Sequence, residues 1–500
     1  MKRYDNIVVG SGISGLTLAL ILGLNGRKVL LIEKASQIGG SLARFRCKGL
    51  PFDTGFHFTG AFSKGGLLCD MLKVLGMEEE IKPTFLTKEG AMRFIFKKED
   101  EVYDLPHGLD NLIAKLKEYF PGEENAITKC FDMMERVCDN TVAMDLRNIS
   151  LAPEPLDEDF VSTDEVLNGL TQNRSLKGLL SAYCMCYGTK PSESSFANHS
   201  RVSLGLYQSV ARVKDGGDAF IRAFKKKFQN VDIDIKTKTF ITKCEDVEND
   251  SVGWFILSDG EEVACRDCIF TIHPKEILKI LPEEGLSKAF ISRVSSYEES
   301  IGFFSVYGAV CHDDGEFDSE PTILSLFPHG EVNKLLDPGY ADDPVLVIMK
   351  STEEIGGKFY SMINALETAF PVYEEKWADS VTGKRSKDYD EYKKNRIKAI
   401  TERILKAYPE YSESLEIMGG ATTLTFRDYL HSYDGSAYGI KQKVGQYNLL
   451  GKLPVRNLHA AGQSSVLPGL VGAMMSSFLI GRSLIGKDEY SSFMKRRLDS

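Results

Sequence analysis

The amino-terminal end of the chain carries three apolar runs in quick succession. Residues 5–9 close on Ile7, Val8 and Val9, the pattern of a strand buried on both faces. Leu16, Leu18, Leu20, Ile21, Leu22 and Leu24 follow without a charged residue among them, which predicts a helix sunk in a core. A second strand is predicted at 28–32. Further on, Phe220, Ile221, Phe224 and Phe228 line one side of a helix at 219–228 whose wet face is Lys225, Lys226 and Lys227. A strand-rich stretch at 231–243 precedes a hairpin (254–257, the turn Asp259-Gly260, then 262–264) and a separate apolar strand at 269–272. Strands are predicted at 303–310 and 345–349, and a long charged helix at 387–407. Residues 85–200 read as helix-like segments joined by acidic linkers such as 153–159. The late apolar stretch 467–485 contains Arg482, the pair Ser476-Ser477 and several glycines, which marks a buried helix rather than a membrane span.

What joins the first strand to the first helix gives these elements a chemistry. Gly10, Gly12 and Gly15 form G-x-G-x-x-G between them, with Ser14 inside the motif, and the second strand ends at Glu33. Gly10 permits the tight turn, Gly12 admits a pyrophosphate to the backbone, and Gly15 lets helix and strand pack closely. The helix start offers free N–H groups to the phosphates, and Glu33 is placed to accept hydrogen bonds from a ribose. Strand, turn, helix, strand and acid in that order make a dinucleotide site. The continuation through Lys34 to Gly39, Gly40 and Ser41 places a glycine pair where the chain can pass tightly over a cofactor. This pattern resembles the FAD site of the amine-oxidase and phytoene-desaturase superfamily.

Composition narrows the field further. Five hundred residues, 43% hydrophobic and 26% charged, suit a globular chain of two or three lobes. Its 71 acidic against 61 basic residues give a net charge of −10, which argues against a nucleic-acid groove. Ten cysteines lack framework spacing. Cys265 and Cys268 form the one C-x-x-C, read as structural thiols, so no metal site is expected and a reducing compartment is. The N-terminus runs straight into a strand with no secretory signal, so a cytoplasmic location is expected.

A second glycine-rich constellation stands near the end. Residues 458–461 run into Gly462 and Gln463, and Pro468, Gly469, Leu470, Val471 and Gly472 open the late helix. In FAD enzymes such a helix end faces the pyrimidine edge of the flavin ring. Residues 52–60, Phe-Asp-Thr-Gly-Phe-His-Phe-Thr-Gly, together with Gly469 to Ala473 and Tyr438-Gly439, resemble the retinol saturase, carotenoid isomerase and phytoene desaturase family, most of all the retinol saturase branch. That family often shows Thr-Pro-x-Thr where this chain has Thr422, Thr423, Leu424 and Thr425.

The resemblance implies an α/β fold: a Rossmann-type FAD-binding domain of the glutathione-reductase-like superfamily with an inserted mixed α+β substrate domain. The expected boundaries are 1–84, 200–290 and 421–500 for the FAD domain and 85–199 and 291–420 for the substrate domain. The implied cofactor residues include Gly55 and His57, Ile241 against the adenine after the glycine pair Gly216-Gly217, and Gly462, Gln463, Gly469, Leu470 and Val471 at the ring. No cysteine follows Cys311, so FAD is expected to be noncovalent. No second dinucleotide motif is present, so reduction would come from outside, for instance from NAD(P)H. The implied activity is an FAD-dependent oxidoreductase acting on C=C or C–C bonds of a lipophilic polyene or isoprenoid-like substrate. Alternatives on the same fold are a flavin amine oxidase or protoporphyrinogen-oxidase-like enzyme, and a non-enzymatic lipid binder related to the Rab GDP-dissociation inhibitors. His57 is the catalytic candidate, as a group that polarises the flavin or relays a proton. Asp53 is expected to order its turn, and Arg44 and Arg46 to contact cofactor or substrate headgroup. A greasy substrate needs apolar walls, for which 301–310 and 176–187 are candidates, and a peripheral membrane contact is expected to deliver it.

Overall fold

The computed structural model describes residues 1–86, 92–151, 154–248, 250–282, 286–312 and 323–499. Among them the chain builds two large sheets. The first has eight strands around a parallel centre. Strand Lys2–Val9 pairs in parallel with Val29–Ile32 on one side and Glu262–Phe270 on the other, and Val29–Ile32 pairs onward with Ile233–Lys236. Every residue of Val29–Ile32 is buried, as its unbroken apolar run requires. Helix Ile13–Leu24 is buried from Ser14 to Gly23, so it too shows no polar face. This is the Rossmann-like α/β architecture.

The hairpin region departs from the expectation in one respect. The sequence suggests separate strands at 262–264 and 269–272, whereas Glu262–Phe270 is a single strand. Its first residues pair antiparallel with Ser251–Leu257 and its last three pair in parallel with Leu458–Ala460. The polar Arg266 and Asp267, where the strand changes partners, break the apolar run without breaking the strand.

The second sheet has seven strands in the order Leu415–Ala421, Gly302–His312, Lys358–Ala369, Leu346–Ile355, Ile323–Phe327, Met92–Phe96, Glu101–Leu105. The last two form a hairpin that the reading of 85–200 as helices and linkers does not anticipate. Its alternation is plain: Met92, Phe94 and Phe96 are buried while Arg93 and Ile95 are less so. The charged helix forms over Lys387–Ala407 as predicted. The linker residue Pro153 lies outside the described residues, and Asp157–Asp159 make a short 3-10 turn. Residues 176–187, proposed above as a tunnel wall, instead lie in the core beside this sheet, with Leu176, Leu179, Leu180 and Tyr183 all buried there.

Helix Gly216–Phe228 joins the two halves of the cofactor-side core. Phe220, Phe224 and Phe228 are buried one turn apart, each contributing about 1.5–3 kcal/mol of burial, while Lys225 and Lys226 face water. The glycine pair at its start is a packing device. A methyl group on Gly217 would stand 1.9 Å from the carbonyl oxygen of Leu42, so the helix can abut the turn that follows Gly40 only without a side chain there. Gly217→Ala should therefore destabilise the folded chain by about 1–3 kcal/mol, read as a lowered urea midpoint of the flavin-free protein. An unchanged midpoint would show that the turn does not depend on this contact.

Candidate active site

One cavity of about 1670 Å³ runs along the ends of the parallel strands and on beneath the second sheet. Its volume exceeds the roughly 300–1,000 Å³ of an ordinary single-ligand pocket. At one end the first strand stops at Val9, and Gly10, Ser11, Gly12, Ile13 and Ser14 form the wall. Helix Ile13–Leu24 begins at Gly12 with no side-chain cap, so its first N–H groups have no side-chain acceptor. A methyl group added to Gly12 meets nothing within 4 Å, because that position opens on the cavity. Gly15, by contrast, serves packing alone: its methyl would lie 1.9 Å from the Gly10 carbonyl oxygen, and the residue does not line the cavity.

Glu33 closes this end. Its Oε2 accepts from the Ser11 amide at 2.9 Å and the Ser11 hydroxyl at 2.5 Å, and its Oε1 from the Ala35 amide at 2.7 Å. The carboxylate is thereby fixed in place at the cavity wall. Ser11, which the sequence reading passes over, is the residue that holds it. Lys34 lies over the Phe240 ring at 5.8 Å, and both line the cavity beside Thr239 and Ile241. Gly40, Ser41, Gly55 and His57 form the next stretch of wall.

At the far end stand Gln463, Ser464, Gly469, Leu470 and Ala473. Helix Gly469–Ile485 also starts without a side-chain cap and presents its amino end here. Gly39, Gly462 and Val471 do not reach the cavity. The Gly39 amide donates to the Ser11 carbonyl at 3.0 Å, the Gly462 amide donates to Ser476 Oγ at 2.8 Å, and Val471 packs against the apolar core. Of the seventeen residues expected to touch cofactor, thirteen therefore share this one wall, and Gly15, Gly39, Gly462 and Val471 sit behind it.

Beside His57 lies a charged cluster that the sequence does not reveal. Asp53 is buried between Arg44 Nε, 3.1 Å from Oδ1, and Arg212 Nη2, 3.1 Å from Oδ2, and Arg44 also pairs with Glu353. Arg44 borders the cavity, but its guanidinium is engaged by these two carboxylates; Arg46 is exposed, donates to the Gly49 carbonyl and lies off the cavity. Burial raises the Asp53 carboxyl above its ordinary range against the pull of Arg212 and Arg44. His57 Nδ1 is 3.8 Å from Asp53 Oδ2. Burial, with Arg212 adding to it, pushes the imidazole down to about 3, so the ring is neutral at physiological pH.

Past His57 the cavity turns apolar. Phe45, Phe303, Tyr307, Leu366, Met418 and Phe426 line it, with Tyr438 at its end toward Gln463. Phe303, Ser305 and Tyr307 are alternate residues of strand Gly302–His312, so only one face of the predicted wall at 301–310 does this work. The departure at Thr422 has a local cause: its Oγ1 accepts from the Thr425 amide and caps helix Thr423–Leu430, which carries Phe426 into the cavity.

The family model described as flavin containing amine oxidoreductase matches residues 13–298. The chain belongs to that family. It is a flavin-dependent oxidoreductase. A curated relative, the all-trans-retinol 13,14-reductase of Danio rerio, is 24% identical over 97% of this chain and 87% of its own length. A prolycopene isomerase of an Oncidium hybrid cultivar is 30% identical over 30% of this chain and 25% of its own length. Among solved structures, cyclohexylamine oxidase from Brevibacterium oxydans superposes over 99% of both chains with a TM-score of 0.63 at 14% identity, a likeness of fold. The retinol saturase and carotenoid isomerase resemblance carried by residues 52–60 thus agrees with the curated relatives. The ten cysteines are free thiols, and among the described residues no cluster of side chains is arranged to hold a metal.

The neutral state of His57 has a measurable consequence. In the unfolded chain a histidine protonates near 6.5, whereas folded His57 takes its proton only at about 3. Between those values the unfolded state holds the extra proton, so this residue makes stability fall as pH drops below 6.5 and leaves it unaffected above. His57→Gln should make that acid slope shallower by up to about 1.4 kcal/mol per pH unit, measured as urea midpoints across the acid range. Equal slopes in the two proteins would contradict a buried neutral ring.

Proposed function

We propose that the cavity holds noncovalent FAD along its length and a lipophilic polyene at its apolar end, and that the protein saturates, desaturates or isomerises C=C bonds of that substrate. The observation that carries this reading is the continuity of the site: one cavity joins a dinucleotide-type end at Glu33 to an apolar end at Phe303 and Tyr307. Glu33 would bind the ribose and the turn from Gly10 to Ser14 the pyrophosphate, with Lys34, Gly40, Ser41, Gly55, His57 and Ile241 around them and Gly15 and Gly39 shaping the turns behind. Gln463, Gly469 and Leu470 would frame the flavin ring, with Gly462 and Val471 supporting them from behind the wall. The uncapped helix starts at Gly12 and Pro468 fit that group, since both offer N–H donors to an anionic or electron-rich ligand. Bound there, flavin supplies two-electron chemistry next to the apolar walls.

The first sheet, with residues 1–84, 200–290 and 421–500, would carry the cofactor, and the second, with 85–199 and 291–420, the substrate. The strands of the two sheets fall close to that division. The flavin amine oxidase reading rests on the broad family model and on fold likeness, neither of which chooses a substrate. NAD(P)H or another soluble donor would reduce the flavin. No helix among the described residues is long and apolar enough to cross a membrane. We place the protein in the cytoplasm, in peripheral contact with a bilayer that delivers the substrate.

Two measurements test this reading together. The yellow protein should release intact FAD on denaturation, and Glu33→Ala should weaken FAD binding by about 1–3 kcal/mol, with Gly12→Val weaker still. Reduced anaerobically and mixed with all-trans-retinol in phospholipid vesicles, the enzyme should return to its oxidised flavin spectrum as a retinoid two hydrogens heavier appears. Turnover of a small soluble amine with no change in retinol or an acyclic carotenoid would overturn it.

A further inference from the structure

Reducing a C=C bond takes a hydride at one carbon and a proton at the other. The groups around the apolar end of the cavity differ sharply in their ability to give that proton. His57 is neutral and its Nδ1 faces Asp53 without a hydrogen bond. Tyr307 is wedged between Phe45 and Phe52, with ring centroids at 4.8 and 5.6 Å, beside Ser305 and in the field of Asp53. Tyr433 is stacked on His273 at 4.5 Å near Lys275 and Lys279, and Tyr429 is exposed.

Tyr438 is different. It is deep in the protein, yet part of its side chain is accessible, and that access is through the cavity it lines. Among the described residues its hydroxyl has no hydrogen-bond partner and is not sealed from the cavity. Its backbone is fixed on three sides. The Tyr438 amide donates to Ser300 Oγ at 2.9 Å, the Ala437 amide to the Ile301 carbonyl at 2.9 Å, and the Ser300 amide to the Gly439 carbonyl at 2.8 Å. Gly439 sits so close to Ser464 that an added methyl would be 2.3 Å from its hydroxyl, which presses Tyr438 against the Gln463–Ser464 turn. The Phe303 ring meets it edge-on at 6.3 Å. Burial raises the phenol well above its ordinary range, so it keeps its proton at any physiological pH.

Resting on the polyene reading above, we propose that Tyr438 is the general acid of C=C reduction. Its O–H proton passes to one carbon of the double bond as the other receives hydride from the reduced flavin. The π bond, the phenol O–H bond and the N–H bond of the reduced flavin that gives the hydride break, two C–H bonds form, the flavin would be left oxidised, and the phenolate regains a proton from water. The electron pair enters beforehand from a two-electron donor, sodium dithionite in the test.

The experiment compares the wild-type protein and Tyr438→Phe, each loaded with FAD, reduced with dithionite and mixed with all-trans-retinol under anaerobic single-turnover conditions. Tyr438→Phe should keep its FAD affinity, and the quenching of retinol fluorescence on binding, within about twofold. Its single-turnover rate should fall by about 10²–10⁴-fold. The wild-type rate should be slower in heavy water, and the product should carry two solvent deuteriums, because the reduced flavin N–H exchanges with solvent as the phenol O–H does. A Tyr438→Phe rate close to wild type overturns the assignment and leaves the polyene reading standing. Loss of FAD or retinol binding in the variant overturns it as well, by making Tyr438 structural. A wild-type protein inert toward retinol removes both proposals.

Discussion

The cavity exists because two helices from opposite ends of the chain are held together by buried serines. Ser14 Oγ lies 2.8 Å from Ser477 Oγ and 3.2 Å from Ser476 Oγ, Ser477 donates to the Ser14 carbonyl at 2.8 Å, and Ser476 accepts from the Gly462 amide at 2.8 Å. Buried hydroxyls are tolerable only when satisfied, so these groups specify one mutual position for helices Ile13–Leu24 and Gly469–Ile485. The close approach extends along the pair, where a methyl on Gly481 would meet Ile21 at 3.0 Å. Because the helices are fixed, their amino ends open on one cavity, and two uncapped sets of N–H groups face the same space.

That arrangement explains why the remaining parts of the site can be small. Glu33 needs only Ser11 and Ala35 to hold it, since the strand that carries it is already buried between neighbours. The turn at Gly39 and Gly40 is pressed from behind by helix Gly216–Phe228, and the Asp53 cluster locks the following loop to the second sheet through Glu353 and to the short strand Ala211–Val213 through Arg212. The charges of this cluster are paired with one another, which suits the neighbouring apolar end to a hydrocarbon chain.

The cofactor end of this design was legible in the sequence because glycine spacing and strand pattern report backbone geometry directly. Gly10, Gly12, Glu33 and Gly469 could be placed from local context alone. Residues such as Gly15, Gly39 and Gly462 carry the same signature yet act behind the wall, and only packing distinguishes a glycine that admits a ligand from one that admits a helix. The charged cluster stayed hidden since Asp53, Arg212 and Glu353 lie in three distant segments with no shared motif. The hairpin Met92–Phe96 and Glu101–Leu105 was present as an alternation, but its charged turn and short strands resemble a linker. Ser476 and Ser477 were visible as an objection to a membrane span, and their role in joining the two helices emerges only from the fold.

The central claim is that one cavity accommodates a flavin dinucleotide and a lipophilic molecule at the same time, end to end. Native mass spectrometry of the FAD-loaded protein titrated with all-trans-retinol tests it directly. A single complex with the mass of one chain, one FAD and one retinol is the expected result. Displacement of FAD as retinol binds, with no species containing both, would contradict it.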